Sequence, residues 1–336
     1  MRVLVVGAGA LGGVMGAKLT RAGVPVQVLD VNAEHVARMR DPGLQVNELG
    51  DEWVQSIDAV SDVSSLRGPF DFALITLKAP FLEDALAPLV AQGQVGTYVC
   101  LGNGLVQDRI AAMTGLDRLV IGTVSWGASN LGPGRVAKTT VAPVAIGEVG
   151  GGVTDRLRAL ADVMALISEV HITERIQGQV WAKLLLNSTF SGMGVVSGLL
   201  YAEAVALPHG KDVAFGLWTE GYDVACALGV ELDDVAGIDP SHLVVRAPDD
   251  VPRARAALSD LMSRLGPTKA SMLQDVERGA VTEVTVINGG VVTQAAKVGL
   301  PTPLNDRIVE IVHEFERGVA APSPTFVADL AERMSQ

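Results

Sequence analysis

Lys183, Asn187 and Ser191 stand four residues apart in the segment Gln179-Val180-Trp181-Ala182-Lys183-Leu184-Leu185-Leu186-Asn187-Ser188-Thr189-Phe190-Ser191. On a helix that spacing lines one face. Leu184, Leu185, Leu186 and Phe190 surround the face with apolar side chains. A lysine among such neighbours is partly desolvated, which lowers its pKa toward the range of a working general acid. Reduction of a carbonyl by hydride needs that acid for the nascent alkoxide. It also needs groups that anchor the substrate and a wall that excludes water. The same residues fit a lysine that snorkels beside a surface amide. Spacing leaves both readings open.

A second chemistry is written near the N-terminus. Gly7-Ala8-Gly9-Ala10-Leu11-Gly12 follows the apolar run Val3–Val6 and precedes a helical pattern. In that context Gly7 permits a tight turn, Gly9 lets a pyrophosphate approach the backbone, and Gly12 lets the helix pack closely on its strand. Phosphates then meet unpaired N–H groups at a helix N-terminus. The motif says what is held, not what is done with it. Asp30 ends the second apolar run, 21 residues beyond Gly9. A carboxylate there accepts the adenosine ribose hydroxyls and repels a 2′-phosphate, which favours NAD(H) over NADP(H). An Asp that merely starts a turn is the plain alternative. His35 reads as a solvated helix residue rather than a phosphate ligand.

Further polar residues cluster downstream. Ser271 in Ser271-Met272-Leu273-Gln274-Asp275 and Thr282 before Glu283 both have the chemistry of helix caps. Glu283 fits a first-turn acid less completely, and Asn288 follows it. Asn103, in Gly102-Asn103-Gly104, and Lys78 each come directly after a predicted strand. Both belong to the carboxyl edge where a parallel sheet binds ligands, although Asn103 also suits an ordinary turn. Trp126 reads as core.

These residues require particular elements to hold them. Val3–Val6, Val26–Leu29, Phe70–Leu77 and Tyr98–Leu101 read as short buried strands. Helical patterns at Leu11–Ala22, at 33–40 after an Asn32 cap, and near Phe81–Val90 alternate with them. That alternation predicts a doubly wound parallel sheet. From Val120 to Ile146 short β-like runs separated by glycine and proline predict antiparallel strands at the sheet edge. After Gly150-Gly151-Gly152 a helix is expected over Val153–Ile167. Beyond Glu174 the texture is helical: about 176–190, 211–228, 252–264, 283–298 and 305–317, with a polar loop over Gly237–Pro252. The fold class is therefore α/β, with a dinucleotide-binding Rossmann domain over 1–172 and an all-α substrate and catalytic domain over 173–336.

The bulk composition agrees with a chain that folds. Its 336 residues are 49% hydrophobic and 19% charged, enough for two cores. The net charge of -12 and the lack of a basic patch argue against nucleic acid. The negative field opposes anionic ligands at long range, so an anion site must be built locally. No run reaches the ~18 apolar residues of a membrane span, and the N-terminus lacks the marks of a signal peptide. Two cysteines, Cys100 and Cys226, suit a reducing cytoplasm and read as small buried hydrophobes. No metal-ligand spacing stands out.

Taken together the motifs resemble the ketopantoate reductase family, the 2-dehydropantoate 2-reductases and related 2-hydroxy-acid dehydrogenases. The resemblance runs over nearly the whole chain. It rests on Gly7-Ala8-Gly9-Ala10-Leu11-Gly12, Lys78-Ala79, Asn103-Gly104, Trp181-Ala182-Lys183-Leu184 with Asn187, Ser271-Met272-Leu273-Gln274-Asp275, and Thr282-Glu283 with Ile287-Asn288-Gly289. It implies reduction of a 2-oxo acid by NAD(P)H in a cleft between the two domains. Lys183 is then the general acid, and Glu283 holds substrate and lysine. Asn103 lies near nicotinamide and carbonyl, Ser271 on the substrate carboxylate, and Asn187 on the substrate. The cofactor set becomes Gly7, Gly9, Ala10, Leu11, Gly12, Asp30, Lys78 and Asn103.

The chain departs from the family pattern at three places. Ser191 and Tyr201 replace asparagines common in ketopantoate reductases, both on the substrate side. Asp30 replaces the basic or neutral residue of NADPH-using members and looks like the NAD-dependent D-mandelate type. The reading is a 2-dehydropantoate 2-reductase of pantothenate biosynthesis. The alternatives are an NAD-dependent D-2-hydroxy-acid dehydrogenase of the D-mandelate type and a nucleotide sensor without turnover. The Lys183, Asn187 and Glu283 set argues against the sensor. The resemblance allows a monomer or a homodimer through the helical domain, and the apolar helices near 283–317 suit either a core or an interface.

Overall fold

Val3–Val6 (β1) is buried at every residue, and so are Val26–Leu29 (β2) and the last four residues of Phe70–Ile75 (β6). Strands buried on both faces belong inside a parallel sheet. The computed structural model describes residues 1–334 and places them there. The remaining strands are Leu44–Glu48 (β3), Asp51–Gln55 (β4), Ala59–Val60 (β5), Val95–Cys100 (β7), Leu119–Val124 (β8), Ala128–Asn130 (β9), Arg135–Lys138 (β10), Val144–Glu148 (β11) and Val170–Ile172 (β12). Eight of the twelve strands form one sheet in the order β12-β11-β8-β7-β6-β1-β2-β5. Its pairs are parallel except β8 with β11, so the expected antiparallel pairing lies one strand in from the edge, where β12 runs parallel to β11. The order reverses between β1 and β6, so their carboxyl ends form the switch point where such sheets bind ligands.

The second sheet is not in the sequence reading. It has four strands, β4-β3-β10-β9, and its hairpin β3–β4 lies over residues the periodicity left unassigned. Helix α1, Ala10–Arg21, packs on both sheets. A Cβ at Gly13 would lie 2.8 Å from Val136 of β10, and one at Gly16 would lie 3.1 Å from Val28 of β2. The small residues of this helix are explained by two close faces rather than by one.

The other helices are Ala33–Arg38 (α2), Leu82–Gln92 (α3), Gln107–Thr114 (α4), Asp155–Met164 (α5), Ile176–Leu186 (α6), Gly192–Ser197 (α7), Tyr201–Ala206 (α8), Gly210–Ala227 (α9), Val251–Leu265 (α10), Ser271–Glu277 (α11), Asn288–Val298 (α12), Pro303–Glu316 (α13) and Thr325–Arg333 (α14). Asn32 caps α2 by accepting the His35 N–H at 3.0 Å. The α-helix passes at Met39 into a π-helical turn, and helical backbone ends after Arg40 as expected, because Asp41 before Pro42 adopts φ -149° and ψ 123°. Ser271 is not the expected cap: it is the first helical residue of α11, with Ala270 before it. Thr282 Oγ1 accepts the Val284 N–H at 3.2 Å in a cap-like turn, but α12 begins at Asn288 rather than 283.

The chain divides into two compact units. One is Met1–Gly102 with Val106–Ile176, and the other is Asn103–Leu105 with Gln177–Gln336. Each has its own apolar core. In the second, Phe190 of the α6–α7 segment meets Tyr201 and Trp218, each at 6.0 Å between ring centroids. Burying rings of this size contributes about 2–3 kcal/mol each. Of the two cysteines, Cys100 is buried as expected and Cys226 is exposed on α9, so it is not the core residue the composition suggested.

Candidate active site

The glycine loop lies at the carboxyl end of β1, in the first unit. Gly7 has φ +89°, and a Cβ at Gly12 would fall 1.9 Å from the Gly7 carbonyl oxygen. No side chain other than hydrogen fits there. A Cβ at Gly9 would meet nothing within 4 Å, so the backbone is open on that side. Gly9 is also the N-cap of α1. The first turn there holds no acidic residue and no capping side chain. An open glycine before a helix N-terminus free of acids fits a dinucleotide pyrophosphate.

Three side chains hold this loop, and two of them escaped the sequence reading. Thr76 Oγ1 donates to the Gly7 carbonyl at 2.6 Å. Asp30 Oδ2 accepts the Ala8 N–H at 2.7 Å, and Oδ1 accepts the Asn32 N–H at 2.9 Å. His35 is not solvated: it is 4% exposed. Its Nδ1 accepts the Gly134 N–H at 2.8 Å, which leaves the ring proton on Nε2 to donate to the Ala8 carbonyl at 2.8 Å. Both backbone groups of Ala8 are thus held by side chains. The missed signal is the turn itself: Asn32 caps α2 three residues before His35 and orients the ring inward. Lys78 is half-buried at the N-cap of the short 3-10 turn Ala79–Phe81. Trp126 is buried core, with Lys138 Nζ 5.2 Å from its ring centroid.

The proposed chemistry residues lie in the second unit. Asn103 belongs to it, although it directly follows Gly102. Asn103 Nδ2 donates to Glu283 Oε2 at 2.9 Å across 180 residues of sequence. Leu105 N–H donates to the Val286 carbonyl at 3.0 Å, which seats the short segment beside the Glu283 turn. Gly104 has φ +70°, and a Cβ there would lie 2.3 Å from that same carbonyl. Glu283 is 5% exposed. Lys183 on α6 and Asn187 at the start of the next turn are half-buried.

The helix carrying them is not uniform. Residues Asn187–Ser191 form a π-helical turn before α7 continues. Ser191 points into the core, where its Oγ meets the Tyr201 hydroxyl at 2.5 Å. Burial raises the Tyr201 hydroxyl pKa, partly opposed by the Ser191 bond. Ser271 is exposed at the start of α11. Thr282 bonds Glu316 Oε1 through both its N–H and its hydroxyl, each at 2.8 Å, which anchors the Glu283 turn to the end of α13. Among the described residues no group of three His, Cys, Asp or Glu is placed to hold a metal. Nor is any helix there long and apolar enough to cross a membrane.

Comparison with known proteins follows this division of labour. Residues 3–151 match the family described as ketopantoate reductase PanE/ApbA, and residues 175–316 match its C-terminal part. A 2-dehydropantoate 2-reductase of Archaeoglobus fulgidus is 25% identical over 95% of this chain and 99% of that protein. One from Halobacterium salinarum is 27% identical over 94% and 99%. Among solved structures, D-mandelate dehydrogenase with NADH and anilino(oxo)acetate superposes with a TM-score of 0.82. It is 26% identical and covers 95% of this chain and 99% of its own.

Proposed function

Because the chain belongs to the ketopantoate reductase family, we propose that it reduces 2-dehydropantoate to pantoate with a nicotinamide dinucleotide. The observation that carries the reading is the 2.9 Å bond from Asn103 to Glu283. It brings two polar residues, 180 positions apart, into the unit that also holds Lys183. The near full-length relatives named 2-dehydropantoate 2-reductase support the substrate.

When bound, the cofactor supplies a hydride to the ketone carbon. The open backbone at Gly9 and the first turn of α1, at Ala10 and Leu11, receive its pyrophosphate, and Asp30 accepts from the adenosine ribose. This acid favours NADH, the cofactor in the D-mandelate dehydrogenase structure. Lys78 faces the same cofactor. As the C=O π pair moves onto oxygen, the Lys183 ammonium gives that oxygen a proton. The lysine is left as an amine and is reprotonated from water. Glu283 orients the lysine and the substrate, and Asn103 holds Glu283. Asn187 and Ser271 anchor the oxo acid, Ser271 at its carboxylate. Ser191 and Tyr201 close the far wall behind Asn187.

The test follows NAD(P)H oxidation with 2-dehydropantoate and with branched and aromatic 2-oxo acids, each with both cofactors. The highest kcat/KM is expected for 2-dehydropantoate with NADH. A preference for an aromatic oxo acid would move the assignment to the D-mandelate type. Lys183→Ala is expected to lower kcat by ~10²–10⁴-fold, the range of a positioned acid. Retained turnover would take Lys183 out of its role.

A further inference from the structure

The π turn at Asn187–Ser191 leaves a mark on the backbone ladder. The Gly192 N–H bonds the carbonyls of Asn187 and Thr189 and passes over Ser188 O, its usual α-helical acceptor. Asn288 Nδ2 donates to that Ser188 carbonyl at 2.8 Å across 100 residues. Asn288 is fully buried, and so is Asn305. The same Asn288 Nδ2 donates to Asn305 Oδ1 at 2.9 Å, and Asn305 Nδ2 donates to Glu220 Oε2 at 2.7 Å. The Ser188 carbonyl can only accept, so Asn288 presents its NH₂ group there and to Asn305 Oδ1, and the Asn305 NH₂ group is left to donate to Glu220.

Asn288 also belongs to the Glu283 turn. The N–H groups of Val286 and Ile287 donate to the Glu283 carbonyl at 3.1 and 3.0 Å, and Gly289 N–H donates to Val284 O at 2.9 Å. Only four residues of tightly bonded chain therefore separate the acid from the amide. We propose that Asn288 is a positioning residue, whose amide locks the π turn bearing Asn187, and with it Lys183 one helical turn earlier, to the segment bearing Glu283. A π turn in a helix is stable only where its displaced backbone groups find partners. Here the partner comes from the segment that must stay in register with the acid. The inference rests on the Lys183–Glu283 reading above.

The test uses two variants of the full chain. Asn288→Ala removes the amide. Gly192→Ala keeps it but builds a Cβ 3.1 Å from Asn288 Nδ2 and 2.9 Å from Ile308 Cδ1. For each, kcat normalised to nucleotide-binding sites, KM for the oxo acid, Kd for NADH, the pH profile of kcat and Tm are measured. Asn288→Ala is expected to lower kcat by about 10- to 100-fold, the cost of a misplaced group. It should also displace the pH profile and leave the Kd for NADH within about twofold. Gly192→Ala is expected to act in the same direction and more weakly. A lowered Tm with unchanged kcat per site and unchanged pH profile would reduce Asn288 to a core amide. If Asn288→Ala does not fold, Gly192→Ala decides by the same criteria. Loss of turnover in Lys183→Ala with normal kinetics in both variants would overturn this inference alone. Retained turnover in Lys183→Ala would overturn the reading beneath it.

Discussion

Asp30 illustrates how one side chain carries two loads. Its oxygens accept the Ala8 and Asn32 N–H groups, so the carboxylate tethers the glycine loop and starts the α2 turn. In the proposed preference for NADH, its charge is the part that opposes a 2′-phosphate. Asp30→Asn separates the two, because an amide oxygen still accepts the Ala8 N–H while the charge is gone. The ratio of kcat/KM for NADPH to that for NADH is expected to rise about tenfold. That is the weight of one charge-assisted hydrogen bond, roughly 1.5 kcal/mol. An unchanged ratio with both cofactors would leave Asp30 as a tether only. The neighbouring Val31 is 86% exposed and opposes neither cofactor by charge. His35 completes the clamp from the other side of the Ala8 peptide.

The N-terminus of α13 is held by an acid from α9. Glu220 Oε1 accepts the Leu304 N–H at 2.9 Å, and Oε2 accepts the Asn305 N–H at 3.1 Å. Burial pushes the Glu220 carboxyl up to about 7, with Asp306 adding to the rise, while the three N–H bonds oppose it. A carboxyl raised in the folded state binds its proton more tightly there than in the unfolded chain. Its contribution to stability is therefore fully present below the ordinary value of 4.5 and is lost as pH rises through about 7. Between pH 5 and pH 8, unfolding free energy is expected to fall by about 1–3 kcal/mol relative to Glu220→Gln. Urea unfolding of both proteins at the two pH values measures this. A constant difference would show that the N–H donors and the helix N-terminus outweigh burial. The π turn is the other element whose local sequence gives no warning. Asn187-Ser188-Thr189-Phe190-Ser191 has no proline, and its geometry is met by Asn288 from far along the chain.

At the scale of the molecule the net charge of -12 acts on a cofactor and a substrate that are both anions. The glycine loop and Lys183 attract them only at short range, so the surrounding field slows their approach. Screening shortens that field to about 10 Å at 0.1 M salt. kcat/KM for the oxo acid is therefore expected to rise between low ionic strength and about 0.1 M. A steady fall with salt would show instead that local cations dominate the encounter. Each unit buries its own apolar core; the glycine loop lies in one, and Lys183, Asn103 and Glu283 lie in the other.

Much of this was legible in the linear chain. Period-two and buried apolar runs located β1, β2, β6 and β7 within a few residues, because a strand buried on both faces has almost no choice of side chain. The glycines of the loop were legible because each excludes a Cβ for a local reason. Lys183, Asn187 and Glu283 were singled out by type, spacing and family pattern, and the proposed function rests on them. The short strands β3 and β4 were not legible, since their alternation is weak; β9 and β10 fall where antiparallel strands were expected, but their place in a second sheet with β3 was not foreseen because that pairing is non-local. The inward turn of His35 and the Ser191–Tyr201 bond were equally hidden. So was the amide relay from Glu220 to Ser188 O. The chain by itself determined most of the elements and the glycine loop between β1 and α1. Tertiary structure alone decided which polar groups became partners. A buried donor must find an acceptor wherever the fold brings one, and nothing in local sequence records that meeting.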